Sequence, residues 1–236
     1  MLNRRLFCQC ASTALFAGFA ATRAQAQGAE CAVMTTDRQS AVSPQDAIAR
    51  LKEGNDRFAS GKTINCNLMQ QVKDTSYAQA PFAAVVGCID SRVSPELVFD
   101  QRIGDIFCAR VAGNFINTDI IGSLEFATKV AGARAILVLG HNDCGGIKGA
   151  VDDVKLGNLT EMLSNIRPAV AATKTDGERI SKNKDFVQAV AETNVKMAVA
   201  NLTERSQILK ALVADGQLRI AGAMHSLSTG KVTFLT

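Results

Sequence analysis

Cys88-Ile89-Asp90-Ser91-Arg92 places a thiol, a carboxylate and a guanidinium within five residues, and His141-Asn142-Asp143-Cys144 adds an imidazole and a second thiol. Two cysteines and one histidine are a donor set of zinc sites that keep a fourth position free for chemistry. Two thiolates and one neutral imidazole hold a divalent zinc tightly at neutral pH. Water in the fourth position has its pKa lowered toward about 7. Asp90, two residues from Cys88, can either ligate the zinc or accept a hydrogen bond from that water and orient it. Arg92 would pair with Asp90 and hold its carboxylate ionised. Gly145-Gly146 removes side chains beside Cys144, so backbone can come close to metal or substrate. The chain has only two histidines. The second, His225, could be read as a proton shuttle; the favoured expectation is a partly buried histidine satisfied by backbone.

Both motifs need rigid support, and the flanking sequence supplies it. Ala83–Cys88, Ile106–Val111 and Ala135–Gly140 are continuous apolar runs of strand length, the pattern of strands buried on both faces. Cys88 and His141 thus stand at the carboxyl ends of two such strands. If those strands are neighbours, Cys88, His141 and Cys144 converge where open α/β sheets bind their ligands. Helical spacing begins behind Ser43 as N-cap with Pro44 at the first position, and Gly61 ends that segment. Further helices are expected over 118–131, 147–155, 159–172, 185–203 and 206–215. Residues 27–42 read as a flexible terminus and 62–80 as polar and irregular. A closing hairpin is expected from 218–224 and 232–235, with its turn at Ser228-Thr229-Gly230. The alternation argues for an α/β fold with a largely parallel central sheet flanked by helices and an N-terminal helical arm.

At 236 residues, 47% hydrophobic and 20% charged, the chain suffices for one domain with a substantial core. Its formal net charge is +4, and Arg4, Arg5 and Arg23 supply most of it. The nearly neutral remainder carries no electrostatic footprint for nucleic acid. Beyond the N-terminus no apolar run reaches the roughly 20 residues of a membrane span.

Residues 1–26 read as an export signal: Arg4-Arg5, an apolar stretch from Cys8 to Ala21, then Ala24-Gln25-Ala26 as cleavage site. The paired arginines before Leu6-Phe7 suggest the twin-arginine route, which carries folded proteins; an ordinary secretory signal is the alternative. Residues 27–236 would then form the single catalytic domain, periplasmic or secreted and free of the membrane. Of the seven cysteines, Cys8 and Cys10 would leave with the signal. An oxidising compartment permits a Cys31–Cys66 bridge, although sequence does not set connectivity. Cys108, in a strand-like run, reads as a small buried hydrophobe.

Cys88-Ile89-Asp90-Ser91-Arg92 and Gly140-His141-Asn142-Asp143-Cys144-Gly145-Gly146 resemble the motifs of the β-class carbonic anhydrases, with Asn142 in place of the common serine. The resemblance runs from the helix at Ser43 to the final hairpin. It implies reversible hydration of carbon dioxide to bicarbonate, one zinc per chain, and an obligate homodimer or a tetramer with each site near an interface. By position, Gln79 matches a glutamine that reaches across the site, and Val93 and Phe107 match residues lining the substrate pocket. Phe126 falls where some members carry tyrosine. Some members hold an inhibitory bicarbonate with a tryptophan, an arginine and a tyrosine. Arg110 matches that arginine, but Val85 stands at the tryptophan position, so the resemblance implies a chain without that form of inhibition. Competing readings are a hydrolase of carbon disulfide or carbonyl sulfide, a zinc- or anion-binding regulator without turnover, and a thiol redox enzyme. The last is disfavoured because Cys88 and Cys144 do not form a Cys-x-x-Cys pair.

Overall fold

The computed structural model describes residues 30–235, so the segment read as an export signal lies outside the described residues. Five strands make one sheet: β1 (Ala83–Gly87), β2 (Ile106–Arg110), β3 (Ala135–His141), β4 (Arg219–His225) and β5 (Val232–Phe234). Their order is β2-β1-β3-β4-β5. The first four run parallel, and β5 returns antiparallel beside β4. The two motif-bearing strands, β1 and β3, are adjacent at the centre, and every residue of both is buried.

Two helical layers cover this sheet. Ala84 and Val86 of β1, with Ile136 and Val138 of β3, face a cluster that includes Phe186, Val190, Val195 and Leu202. The alternate residues Ala83, Val85, Leu137 and Leu139 face Ala47, Ile48 and Leu51. Period-two side chains on a strand make this division automatic, and each fully buried branched residue contributes roughly 1.5–3 kcal/mol. The short helix α1 (Thr36–Ser40) precedes α2 (Pro44–Ala59), which starts where Ser43 accepts from the amide of Asp46 at 3.1 Å. The expected irregular stretch 62–80 instead contains α3 (Leu68–Thr75), capped by Asn67 accepting from the Gln70 amide. Its apolar residues are turned outward, Leu68 and Met69 being 63% and 64% exposed, which is why no buried stripe marked it.

The arm read as flexible is fastened from Glu30 onward. Cys31 and Cys66 form a disulfide with Cα atoms 5.5 Å apart. Thr35 caps α1, and buried Gln39 donates from Nε2 to the carbonyls of Pro81 and Ala131, both at 2.7 Å. After β1 comes a four-residue helix, α4 (Pro95–Val98). The expected helix 118–131 is α5 (Thr118–Glu125) running into a π-turn over Phe126–Val130, where the Ala131 amide reaches back five residues to Phe126. Beyond β3, α6 (Gly145–Val151) starts two residues earlier and ends four earlier than its spacing suggested. The expected helix 159–172 divides into α7 (Gly157–Ser164) and α8 (Arg167–Ala172). Pro168, lacking an amide hydrogen, sits in the first turn of α8, where that loss is harmless, and could not continue α7. The helices α9 (Lys184–Arg205) and α10 (Gln207–Ala214) lead into β4, and the expected hairpin closes the fold. No described helix is long and apolar enough to cross a membrane.

Candidate metal centre

The parallel pairing sets β1 and β3 in register, so both release their chains at the same edge of the sheet. There Cys88, His141 and Cys144 come together, with one ligand atom of each within 4.8 Å of the others. The two sulfurs lie 3.9 Å apart. All three residues are buried, His141 completely. The amide of Gly113 donates to the Cys88 sulfur at 3.4 Å, a contact for which the sequence offered no signal beyond a glycine-containing turn. That turn fits tightly: a Cβ on Gly146 would come within 2.9 Å of the Gly113 nitrogen. Gly145 meets open space instead. The close backbone approach expected at Gly145-Gly146 therefore joins Gly146 to the turn that supports Cys88.

The ring of His141 is oriented by its neighbour's backbone. Nδ1 lies 2.9 Å from the carbonyl of Asn142. A carbonyl only accepts, so Nδ1 carries the proton and Nε2 keeps its lone pair. Nε2 is buried and has no hydrogen-bond partner among the described residues, an expensive omission unless the atom serves a ligand. The thiols are coupled. Cys88 is held below its ordinary pKa chiefly by the hydrogen bond from Cys144, aided by the Gly113 amide, while Cys144 is pushed up by its proximity to Cys88 and by burial. A divalent cation bound to both sulfurs would displace their protons. Donor set, spacing and orphaned nitrogen all fit zinc.

Asp90 sits at the rim with Oδ2 4.0 Å from His141 Nε2. Arg92 grips it in a fork, Nε to Oδ1 at 2.9 Å and Nη2 to Oδ2 at 2.7 Å. That grip holds the carboxyl well below the usual carboxylate range. The pairing expected from sequence is present. Arg110 at the end of β2 donates to the carbonyls of Cys88 at 2.9 Å and Asp90 at 2.8 Å, so its guanidinium braces the ligand loop. Val85, beneath, is fully buried.

The remaining site residues are more dispersed. Val93 is fully buried on the α2 side of the sheet, with its amide on the Asp90 carbonyl at 2.9 Å. Phe107 is half-buried on β2, edge-on to Phe126 with ring centres 6.2 Å apart. Gln79 is exposed and precedes the amino end of β1, whereas Cys88 follows its carboxyl end, about 16 Å away at roughly 3.3 Å per strand residue. Gln79 and Cys88 thus flank opposite ends of β1. His225 pairs in register with His141 and is 3% exposed. Neither ring nitrogen has a partner at full hydrogen-bond geometry among the described residues; the Gly230 backbone, the one such group near the ring, opposes only part of the lowering of its pKa by burial. Cys108 is half-buried on the edge strand rather than enclosed.

An α/β sheet with a Cys2His cluster and an arginine-held carboxylate at its carboxyl edge is an arrangement that could hold a metal ion on three protein donors. A family model described as carbonic anhydrase matches residues 83–232, and the chain belongs to the carbonic anhydrase family, in its β class. It is 34% identical to carbonic anhydrase 2 of Mycobacterium tuberculosis over 194 residues, covering 80% of this chain and 91% of that one. The carbonic anhydrase of Mycolicibacterium smegmatis is also 34% identical, covering 80% and 92%. Among solved structures, a Coccomyxa β-carbonic anhydrase in complex with acetazolamide superposes with a TM-score of 0.64 at 27% identity, covering 80% of this chain and 84% of that one. With the family comes its reaction, zinc-dependent hydration of carbon dioxide, so the chain is a lyase with zinc as cofactor.

Proposed function

We propose that Cys88, His141 and Cys144 are the zinc ligands, one ion per chain, and that Asp90 and Arg92 control the fourth position. The observation that carries this is the orphaned His141 Nε2, buried beside two coupled sulfurs and facing Asp90. Zinc supplies acidification of water to a pKa near 7. Asp90 accepts a hydrogen bond from the reacting water and orients it. Arg92 keeps that carboxylate ionised, and if Asp90 swings onto the metal it closes the site. Val93 and, from the β2 edge, Phe107 are assigned as apolar walls for carbon dioxide; Gly145 leaves open space next to Cys144, and Gly146 admits the Gly113 turn that supports Cys88. Stopped-flow hydration of carbon dioxide, run with zinc stoichiometry, tests the assignment. About one zinc per chain with turnover is expected; a metal-free, inactive preparation would sink it.

The enzyme is a homodimer joined along β2. That strand is a sheet edge, and an open edge invites pairing. A groove of about 850 Å³ runs beside it, lined by Phe107, Ile120, Leu124 and Phe126. Phe126 is 50% exposed and Val130 72%, the kind of apolar patch that marks an interface. Gln79, remote from its own metal centre, would serve the partner's. Residues 1–26 direct export to the periplasm or beyond, a reading supported by the Cys31–Cys66 disulfide, since such bonds persist in oxidising compartments. Native mass spectrometry of protein from the producing cell reads both claims at once. A dimer beginning near Gln27 is expected; a monomer beginning at Met1 would overturn both.

A further inference from the structure

The two ligand loops, 88–92 and 141–144, leave neighbouring strands and meet directly at the Cys88–Cys144 and Asp90–His141 contacts; two asparagines add a second, indirect tie behind them. Asn142 stands between His141 and Cys144. Its carbonyl accepts a hydrogen bond from His141 Nδ1 at 2.9 Å and so decides which ring nitrogen is left for a metal. That carbonyl is aimed by two further contacts of the same residue. The Asn142 amide donates to the His225 carbonyl at 3.2 Å, and its Oδ1 accepts from the Leu227 amide at 2.8 Å. Leu227 opens the turn between β4 and β5, which is closed by the Ser226 amide on the Lys231 carbonyl and the Gly230 amide on the Ser226 carbonyl.

Asn55 grips the far side of that turn. It is 2% exposed, on α2. Its Nδ2 donates to the carbonyls of Gly230 at 2.9 Å and Val98 at 3.0 Å, and its Oδ1 accepts from the Val232 amide at 2.7 Å. Val98 ends α4, the helix that follows the Cys88–Arg92 loop. Through Asn55, the β4–β5 turn and Asn142, the loop carrying one sulfur is therefore mechanically joined to the loop carrying the imidazole and the other sulfur.

We propose that Asn55 and Asn142 form an amide bracket that presets the spacing of the two ligand loops and the tautomer of His141 before metal arrives. Both are positioning residues, since neither touches metal or substrate. The proposal rests on the zinc-ligand assignment above and extends it to how the site is held. Groups that orient metal ligands are worth about 10–100-fold in affinity. Asn142→Ala removes the acceptor for Leu227 and should weaken zinc binding about 10-fold in chelator competition, with an altered visible spectrum of the Co2+-loaded chain. Asn142→Asp keeps the acceptor and should stay within about 3-fold of the parent.

Amide hydrogen exchange on the unaltered, metal-free chain gives a reading that needs no variant. Leu227 should be as protected without zinc as with it. Parental affinity and spectrum in Asn142→Ala would overturn the bracket, and so would Leu227 protection that appears only on zinc loading. A parent chain that binds no zinc would overturn the ligand assignment as well, which separates the two failures.

Discussion

Cys144→Ser is expected to purify with well under one zinc per chain and to lose nearly all hydration of carbon dioxide. The sulfur it removes is 1% exposed and 3.9 Å from Cys88 Sγ, so no solvent ligand stands ready to take its place. A serine hydroxyl stays protonated where a thiol gives up its proton to zinc, and its shorter bond leaves the oxygen short of the sulfur position. Loss of a direct ligand should exceed the roughly 10–100-fold cost of losing an outer partner. Because ligand geometry here is built by the sheet, the chain should fold without metal, unlike a zinc finger. Metal analysis after dialysis, alongside circular dichroism, checks both halves. A Cys144→Ser enzyme with one zinc and parental turnover would remove Cys144 from the ligand set.

Asp90→Asn should dissociate the two properties that Cys144→Ser loses together. The carboxylate is outside the three-donor cluster, so the variant should keep its zinc. Arg92 is mostly exposed, its side chain 57% accessible, and a solvated ion pair contributes little to stability. What disappears is the charge that accepts from the reacting water. Asparagine offers a weaker acceptor and an amide that can point a donor the wrong way. Turnover should fall about 100-fold at unchanged zinc content, the scale of losing a placed polar group at a reacting centre. Full activity would show that Asp90 has no part in orienting water. Since Arg92 keeps the parent carboxyl well below the usual carboxylate range, moderate acidification should not reproduce the variant.

The two central strands were legible because burial on both faces leaves an uninterrupted apolar run, and a residue placed directly after such a run must stand at the sheet's edge. The Cys88, His141 and Cys144 convergence followed from that alone once β1 and β3 proved adjacent. Elements whose apolar side points outward left no comparable trace. Leu68, Met69 and Val72 of α3 face solvent in the single chain, so the segment read as irregular. The break between α7 and α8 was written in Pro168 and went unread because apolar spacing continues across it. Contacts made by single polar side chains were invisible for another reason. Asn142 to Leu227 spans 85 residues of sequence and Asn55 to Val232 spans 177, and no local pattern encodes a partner at that distance. Gln39, bridging Pro81 and Ala131, belongs with them.

The sheet has two edges of unequal character. At one, β5 is three residues long and Lys52 lies over the ring of its Phe234 at 4.6 Å; at the other, β2 offers five residues of backbone with no strand beyond it among the described residues. A strand that short is a poor template for a further one, so the proposed pairing along β2 would give the molecule a valence of one in edge-to-edge contacts. Units of valence one can form couples but cannot polymerise, because each union consumes the only bond both members have. On that proposal, a second copy added along β2 would terminate growth, and any larger assembly would have to use a different surface.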